Sequence, residues 1–146
     1  MKGKRWIALA MALVMTLSLL TVSAGAVSFT DMVGHWAKEE VERAVSLGWI
    51  MGYEDNTFRP DRAVTRQEMA TVAMQACGVN YRNASCTMPV CADAALVNNN
   101  YGTNVARALY FGFMSLEPDG CFKPRRPVTI GEAAGILNRV ADFAGI

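Results

Sequence analysis

The sequence predicts a mainly α fold built from tandem helix-loop-helix repeats packed on a shared core. Three observations predict it: apolar residues at helical spacing on both sides of one loop, a capping box at the start of the second helix, and recurrence of the unit 64 residues later. Apolar positions at i, i+3, i+4 and i+7 mark one face of a helix, and tandem units of this kind bury that face against one another.

The chain has 146 residues, and its beginning is set apart from the rest. Lys2, Lys4 and Arg5 precede an apolar run from Trp6 to about Leu20, and Ala24-Gly25-Ala26 supplies small residues where a signal peptidase cuts. The run is short for a bilayer span, so residues 1–26 read as an export signal removed after Ala26, with a mature N-terminus at Val27. That leaves 120 residues with 11 Lys+Arg against 13 Asp+Glu, a formal charge of −2. Nucleic acids and anionic membranes call for a basic excess, so the composition speaks against both.

The first copy covers residues 27–78. Phe29-Thr30-Asp31 leads through Gly34-His35-Trp36 into a helix whose stripe is Ala37, Val41, Ala44 and Val45, with Lys38, Glu39, Glu42 and Arg43 on the other face. Gly48 suits the left-handed residue that ends a helix. Trp49, Ile50 and Met51 lead into a turn at Glu54-Asp55-Asn56-Thr57, Phe58 points back to the core, and Pro60 favours an extended Arg59. Thr65 and Glu68 form the capping box of the second helix, with Met69, Val72, Ala73 and Ala76 as its stripe and Gly78 as its stop. Arg66 and Gln67 fall in the first turn, where open N–H groups and the helix dipole favour an anion.

The second copy covers residues 91–146. Ala44, Gly48, Asp55, Phe58, Pro60, Val64, Thr65 and Glu68 recur as Ala108, Gly112, Asp119, Phe122, Pro124, Val128, Thr129 and Glu132. The stripe recurs as Ala133, Ile136, Leu137 and Val140. Residues 79–90 between the copies lack periodicity and read as a linker. Cys77, Cys86, Cys91 and Cys121 all lie in the exported part, where disulfides are allowed. Three pairings are open, Cys86 and Cys91 being close enough to close a small loop. A zinc site would show paired C-x2-4-C knuckles, which are absent, so no metal site is expected.

The string FTDMVGHWAKEEVERAVSLGWIMGYEDNTFRPDRAVTRQEMA resembles an S-layer homology repeat: an F-x-D start, an HWA helix opening, a G-x-x-x-G-Y turn, a D-x-T-F-R-P-D loop and TRQE in place of the usual TRAE. The resemblance is strong over Phe29 to Gly78 and weaker over Cys91 to Gly145. It implies a non-catalytic module that attaches exported proteins to the cell wall or cell surface, commonly through a secondary cell-wall polysaccharide with a pyruvate ketal. It also implies three repeats in a pseudo-threefold prism with grooves between neighbours. The residues matching the groove lining are Asp31, Trp36, Gly52 and Arg66, with Thr65 and Glu68 shaping the helix start.

On that resemblance Arg66 receives the ketal carboxylate, Trp36 offers a flat face to the sugar ring and Asp31 accepts from hydroxyls. Plainer roles stand beside these: Trp36 covering the core, Asp31 capping the first helix, and His35 as an exposed helix-entry residue. The second copy departs from the pattern, with Asn99 and Asn100 in place of His35 and Trp36, and Ile130 in place of Arg66. It therefore reads as kept for folding. Only two repeats are visible, so three cases stand open for a third wall: another S-layer homology chain supplies it, self-association supplies it, or there is none. The expected partner is a cell-wall glycopolymer, with no cofactor. One histidine, no nucleophile with an obvious base and no phosphate-cradling loop argue against an enzyme. The alternative is a secreted structural or protein-interaction module of the envelope that no longer binds glycan.

Overall fold

A computed structural model describes residues 28–78 and 85–145. Residues 1–26, where the sequence predicts an export signal, Val27, the linker residues 79–84 and Ile146 lie outside them. Four α-helices follow in order: α1 (Lys38–Ser46), α2 (Arg66–Ala76), α3 (Asn99–Tyr110) and α4 (Ile130–Ala144). Short 3-10 turns, Thr30–Met32 and Ala94–Leu96, open the two copies. Among the described residues there is no strand, only an isolated antiparallel bridge between Thr65 and Pro127. No helix among them is long and apolar enough to cross a membrane.

The predicted punctuation is present. Gly48 has φ +71°, its N–H donates to Val45 O, and Trp49 N donates to Ala44 O, the two bonds that close a helix end over a left-handed residue. Gly78 and Gly112 take positive φ after α2 and α3. Both capping boxes form. At α2 the Glu68 carboxylate accepts from Thr65 N at 2.8 Å and from its hydroxyl at 2.9 Å. At α4, Thr129 N donates to Glu132 at 2.8 Å and Glu132 N donates to the Thr129 hydroxyl at 3.2 Å.

The apolar residues settle into two clusters. Phe29, Met32 and Val41, with Ala37, Val45, Ile50 and Phe58 around them, form a small one that belongs to the first copy. The larger joins Met69, Ala70, Ala73, Met74 and Cys77 of α2 and its C-cap to Val105, Ala108, Phe113, Phe122, Ile136 and Val140 of the second copy. Helix α2 packs mainly on α3 and also on α4. The second helix of copy one is thus inside the core of copy two, and the line between repeats is not a line between cores.

Three sequence expectations change. The stripe of α2 centres on Ala70, Ala73, Met74 and Cys77, one step round from the predicted Met69, Val72, Ala73 and Ala76; Val72 and Ala76 are half-buried. Leu137, placed in the core by the shift, is exposed on α4. Arg59 is not extended but left-handed, with φ +61°, as is its counterpart Lys123 at +55°. Arg59 N donates to Asp31 Oδ2 at 2.7 Å and Lys123 N to Asp93 Oδ2 at 2.6 Å, so a carboxylate from the start of each copy holds the strained residue.

Candidate functional site

Asp31 is committed to backbone. Its Oδ1 accepts from Phe58 N at 2.9 Å and its Oδ2 from Arg59 N, and these bonds, Phe58 N first, lower the carboxyl pKa. It does not cap α1. The N-cap of that helix is Ala37, with no side-chain cap; His35 Nδ1 accepts from Ala37 N at 3.1 Å just before it, which puts the proton of a neutral ring on Nε2, 3.6 Å from Asp61. His35 is accordingly half-buried and not an exposed entry residue.

Gly52 has a packing role. A Cβ built there would lie 2.0 Å from the Phe29 ring, so the absence of a side chain lets Phe29 reach the first cluster. Trp36 does not cover the core: it is 90% exposed, with its ring 5.6 Å from that of His35. A tryptophan left in water forgoes the burial that usually holds that side chain, and a large flat exposed ring suits contact with a partner.

Arg66 departs most from expectation. Its side chain is 6% exposed; Nε donates to Phe122 O and Nη2 to Ser115 O, both at 2.6 Å. Nη1 lies 3.6 Å from Glu117 and 3.9 Å from Glu132, and the guanidinium sits 4.9 Å from the Phe122 ring centre. Burial lowers its pKa and Glu117 opposes the shift. Helix α2 offers no open N-terminus either, since Arg66 N donates to Arg126 O at 2.9 Å and Gln67 N to Pro124 O at 3.0 Å. The donors that the sequence assigned to an external carboxylate are consumed by carbonyls of the second copy. Sequence reasoning saw the donors of α2 but not the loop, 56 residues on, that faces them.

Around Arg66 the second copy completes a charge network. Arg126 Nη2 reaches Glu117 at 2.7 Å and also pairs with Glu132 Oε1. Arg126, then the Thr129 N–H, brings the Glu132 carboxyl down to about 2. Arg66, Glu117, Glu132 and Arg139 line a cleft of about 420 Å³. The sequence reading also passed over Tyr53, whose ring carries the Arg59 guanidinium at 4.0 Å and that of Arg62 at 5.7 Å. Both arginines are paired, Arg59 with Asp55 at 2.8 Å and Arg62 with Glu68 at 2.5 Å, yet both stay more than a third exposed. Two arginines near one aromatic ring within a turn loop were the available signal.

The structure therefore gathers Asp31 and Gly52 into the loop of copy one, leaves Trp36 on its surface and sends Arg66 into the wall between copies. Among the described residues no group of three or more His, Cys, Asp or Glu side chains could hold a metal.

Comparison with known proteins agrees with this two-copy arrangement. The family model of the S-layer homology domain matches residues 28–70 and 97–134, more than half of the chain. The chain belongs to the S-layer homology domain family. Among its relatives, Cell surface glycoprotein 1 of Acetivibrio thermocellus is 30% identical over 116 residues, 74% of this chain and 5% of that protein. Surface layer protein of Brevibacillus choshinensis is 28% identical over 145 residues, covering 92% of this chain and 12% of the relative. Amylopullulanase of Thermoanaerobacterium thermosulfurigenes is 29% identical over 120 residues, 80% of this chain and 6% of that protein. The chain thus spans a small fraction of the length of these relatives. S-layer homology domains anchor proteins to polymers of the cell envelope, and membership places this chain among secreted, cell-surface modules.

Proposed function

We propose that this chain is a non-catalytic anchoring module that holds a cell-wall glycopolymer non-covalently through the face of its first copy. The observation that carries the reading is Trp36, exposed with its ring beside that of His35. Its ring is the flat apolar surface on which a sugar can lie. A pyruvyl carboxylate on that polymer meets Arg59 and Arg62, the exposed cations stacked on Tyr53, and not Arg66, whose donors are occupied within the fold. Asp31 and Gly52 serve the site by setting the loop.

Co-sedimentation with purified walls tests the proposal. The protein is expected to pellet with intact walls and to stay in solution with walls stripped of their secondary polymer. Trp36→Ala should weaken retention about tenfold, equivalent to about 1.4 kcal/mol, without lowering the melting temperature. Equal retention of wild type and Trp36→Ala overturns it.

A second reading, an interaction module of the envelope, is favoured by the far end of the molecule. In α2 the first two N–H groups are closed by the loop of copy two, whereas those of Ile130 and Gly131 in α4 meet no acceptor among the described residues, and Ile130 is 92% exposed. Among the described residues, the same loop in copy one, at Pro60 and Arg62, accepts from no such helix start. A third repeat, from another S-layer homology chain or a second copy, fits between these surfaces. Sedimentation equilibrium decides this: the reading requires association that Ile130→Asp abolishes, and a monomer at every concentration counts against self-association.

A further inference from the structure

We propose that Cys91 and Cys121 form a structural disulfide that clips the start of the second copy to its own loop. The two segments are already held together: Asp93, two residues after Cys91, accepts from Phe122 N at 2.8 Å and from Lys123 N at 2.6 Å, and Phe122 directly follows Cys121. Asp93 acts electrostatically on both the Cys91 and the Cys121 thiols, and the two thiols act on one another. Both residues are half-buried, and in this structure both are free thiols, so the bond proposed is one that oxidation adds.

Comparison of the copies says why a bond is useful there. In copy one the residue two before Asp31 is Phe29, whose ring packs 5.5 Å from that of Phe58, and Thr30 N donates to Asn56 O at 3.0 Å. In copy two Cys91 takes the place of Phe29 and Cys121 that of Thr57, so the aromatic clasp is gone and two thiols stand at the same junction. Of the other cysteines, Cys77 belongs to the core cluster on which Cys91 also packs, and neither it nor Cys86 lies in the loop that holds Cys121. Cys77 is buried at the end of α2, and Cys86 lines a cleft of about 570 Å³ beside Met88, Asn99, Thr103 and Ala106.

Burial, then Asp93 for Cys91 and Asp119 for Cys121, raises both thiol pKa values. Raised values keep both sulfurs mainly as thiols near neutral pH, so exchange is slow without an added disulfide oxidant. The reaction removes two thiol protons and two electrons and forms one S–S bond. The oxidant is another disulfide, of a small molecule or an exported protein, which passes through a mixed disulfide and leaves as two thiols. The bond closes a loop of roughly thirty residues and restricts the unfolded chain.

The test uses the exported chain with Cys86→Ser, which leaves Cys77 without Cys86 as a partner. The reduced protein is treated with oxidised glutathione, alkylated, and mapped without reduction. The expected result is one cross-linked species joining the peptides of Cys91 and Cys121, and a melting temperature that falls by several degrees on reduction. The Cys91→Ser/Cys121→Ser variant in the same background should melt at one temperature with or without reductant. Cys91 joined to Cys77, or Cys91 and Cys121 both fully alkylated after oxidation, overturns the proposal, as does a melt of the cross-linked protein that reduction leaves unchanged.

Discussion

Arg66 shows how a single side chain can be committed twice. A guanidinium at a helix N-terminus has the donors to receive an external anion, but here Nε and Nη2 are held by Phe122 O and Ser115 O, and Nη1 is flanked by Glu117 and Glu132. Removing it leaves two carbonyls without their donors and two carboxylates less compensated at a half-buried wall. Truncating one member of such a buried set usually costs several kcal/mol. Arg66→Ala is therefore expected to lower unfolding free energy by about 3 kcal/mol, read by urea denaturation, while Ile130→Ala, at the matching exposed position, should change it by less than about 0.5 kcal/mol. A cost of only a few tenths for Arg66→Ala would return the residue to the role of a surface ligand.

At the scale of elements, the capping boxes carry the comparison between copies. Thr129 caps α4 on the surface, and its loss to Ala should cost about 1 kcal/mol. Thr65 is half-buried, bridges Pro127, and sits where Val64 O accepts from Val128 N at 2.9 Å. Thr65→Ala should cost nearer 2 kcal/mol because its hydroxyl and the Glu68 carboxylate it bonds are part-buried, which leaves that carboxylate short of a donor. Thermal melts that rank Thr129 above Thr65 would contradict this. These elements were legible in the sequence because caps, stops and stripes are local: Gly48, Thr65, Glu68, Thr129 and Glu132 needed no knowledge of the rest of the chain. The phase of α2 was not, since its sequence RQEMATVAMQA is apolar on more than one side and only packing against α3 and α4 selects which side is deepest. The start of copy two was hidden for another reason. Asp93 matches Asp31 at a shift of 62, not 64, because α3 begins a turn earlier than α1, with Asn98 accepting from Asn100 N as its cap. The candidate site was legible only in part. The motif singled out Trp36 and Asp31 as candidates, but which donors remained available depended on Arg126 and Pro124, and no local pattern reports that contact.

For the whole molecule, the wall between copies depends on charge and therefore on pH. Glu132 pairs with Arg126, caps α4 through Thr129 N and lies 3.9 Å from Arg66, so its ionised form links α2, the loop of copy two and α4. Its folded value of about 2 is below the ordinary 4.5, so its contribution is complete above about 4.5 and is lost as pH falls through about 2. Asp55, also near 2, is lowered by Thr57 and then Arg59 and acts only within the loop of copy one. Urea midpoints measured from pH 7 to 2.5 are expected to fall through that acid window for the wild type. In Glu132→Gln the starting midpoint should be lower and the acid slope shallower, because the group that would take up a proton is absent. Asp55→Asn should also flatten the slope, but without lowering the affinity of Arg66 and Arg126 for the remaining wall. Salt separates the two cases further: about 0.5 M sodium chloride screens exposed pairs such as Asp55 and Arg59 more than the half-buried set around Arg66. If wild type and Glu132→Gln trace parallel profiles, the Glu132 carboxylate contributes nothing to the union of the copies, which then rests on the apolar packing of α2 and on the Arg66 and backbone bonds across the wall.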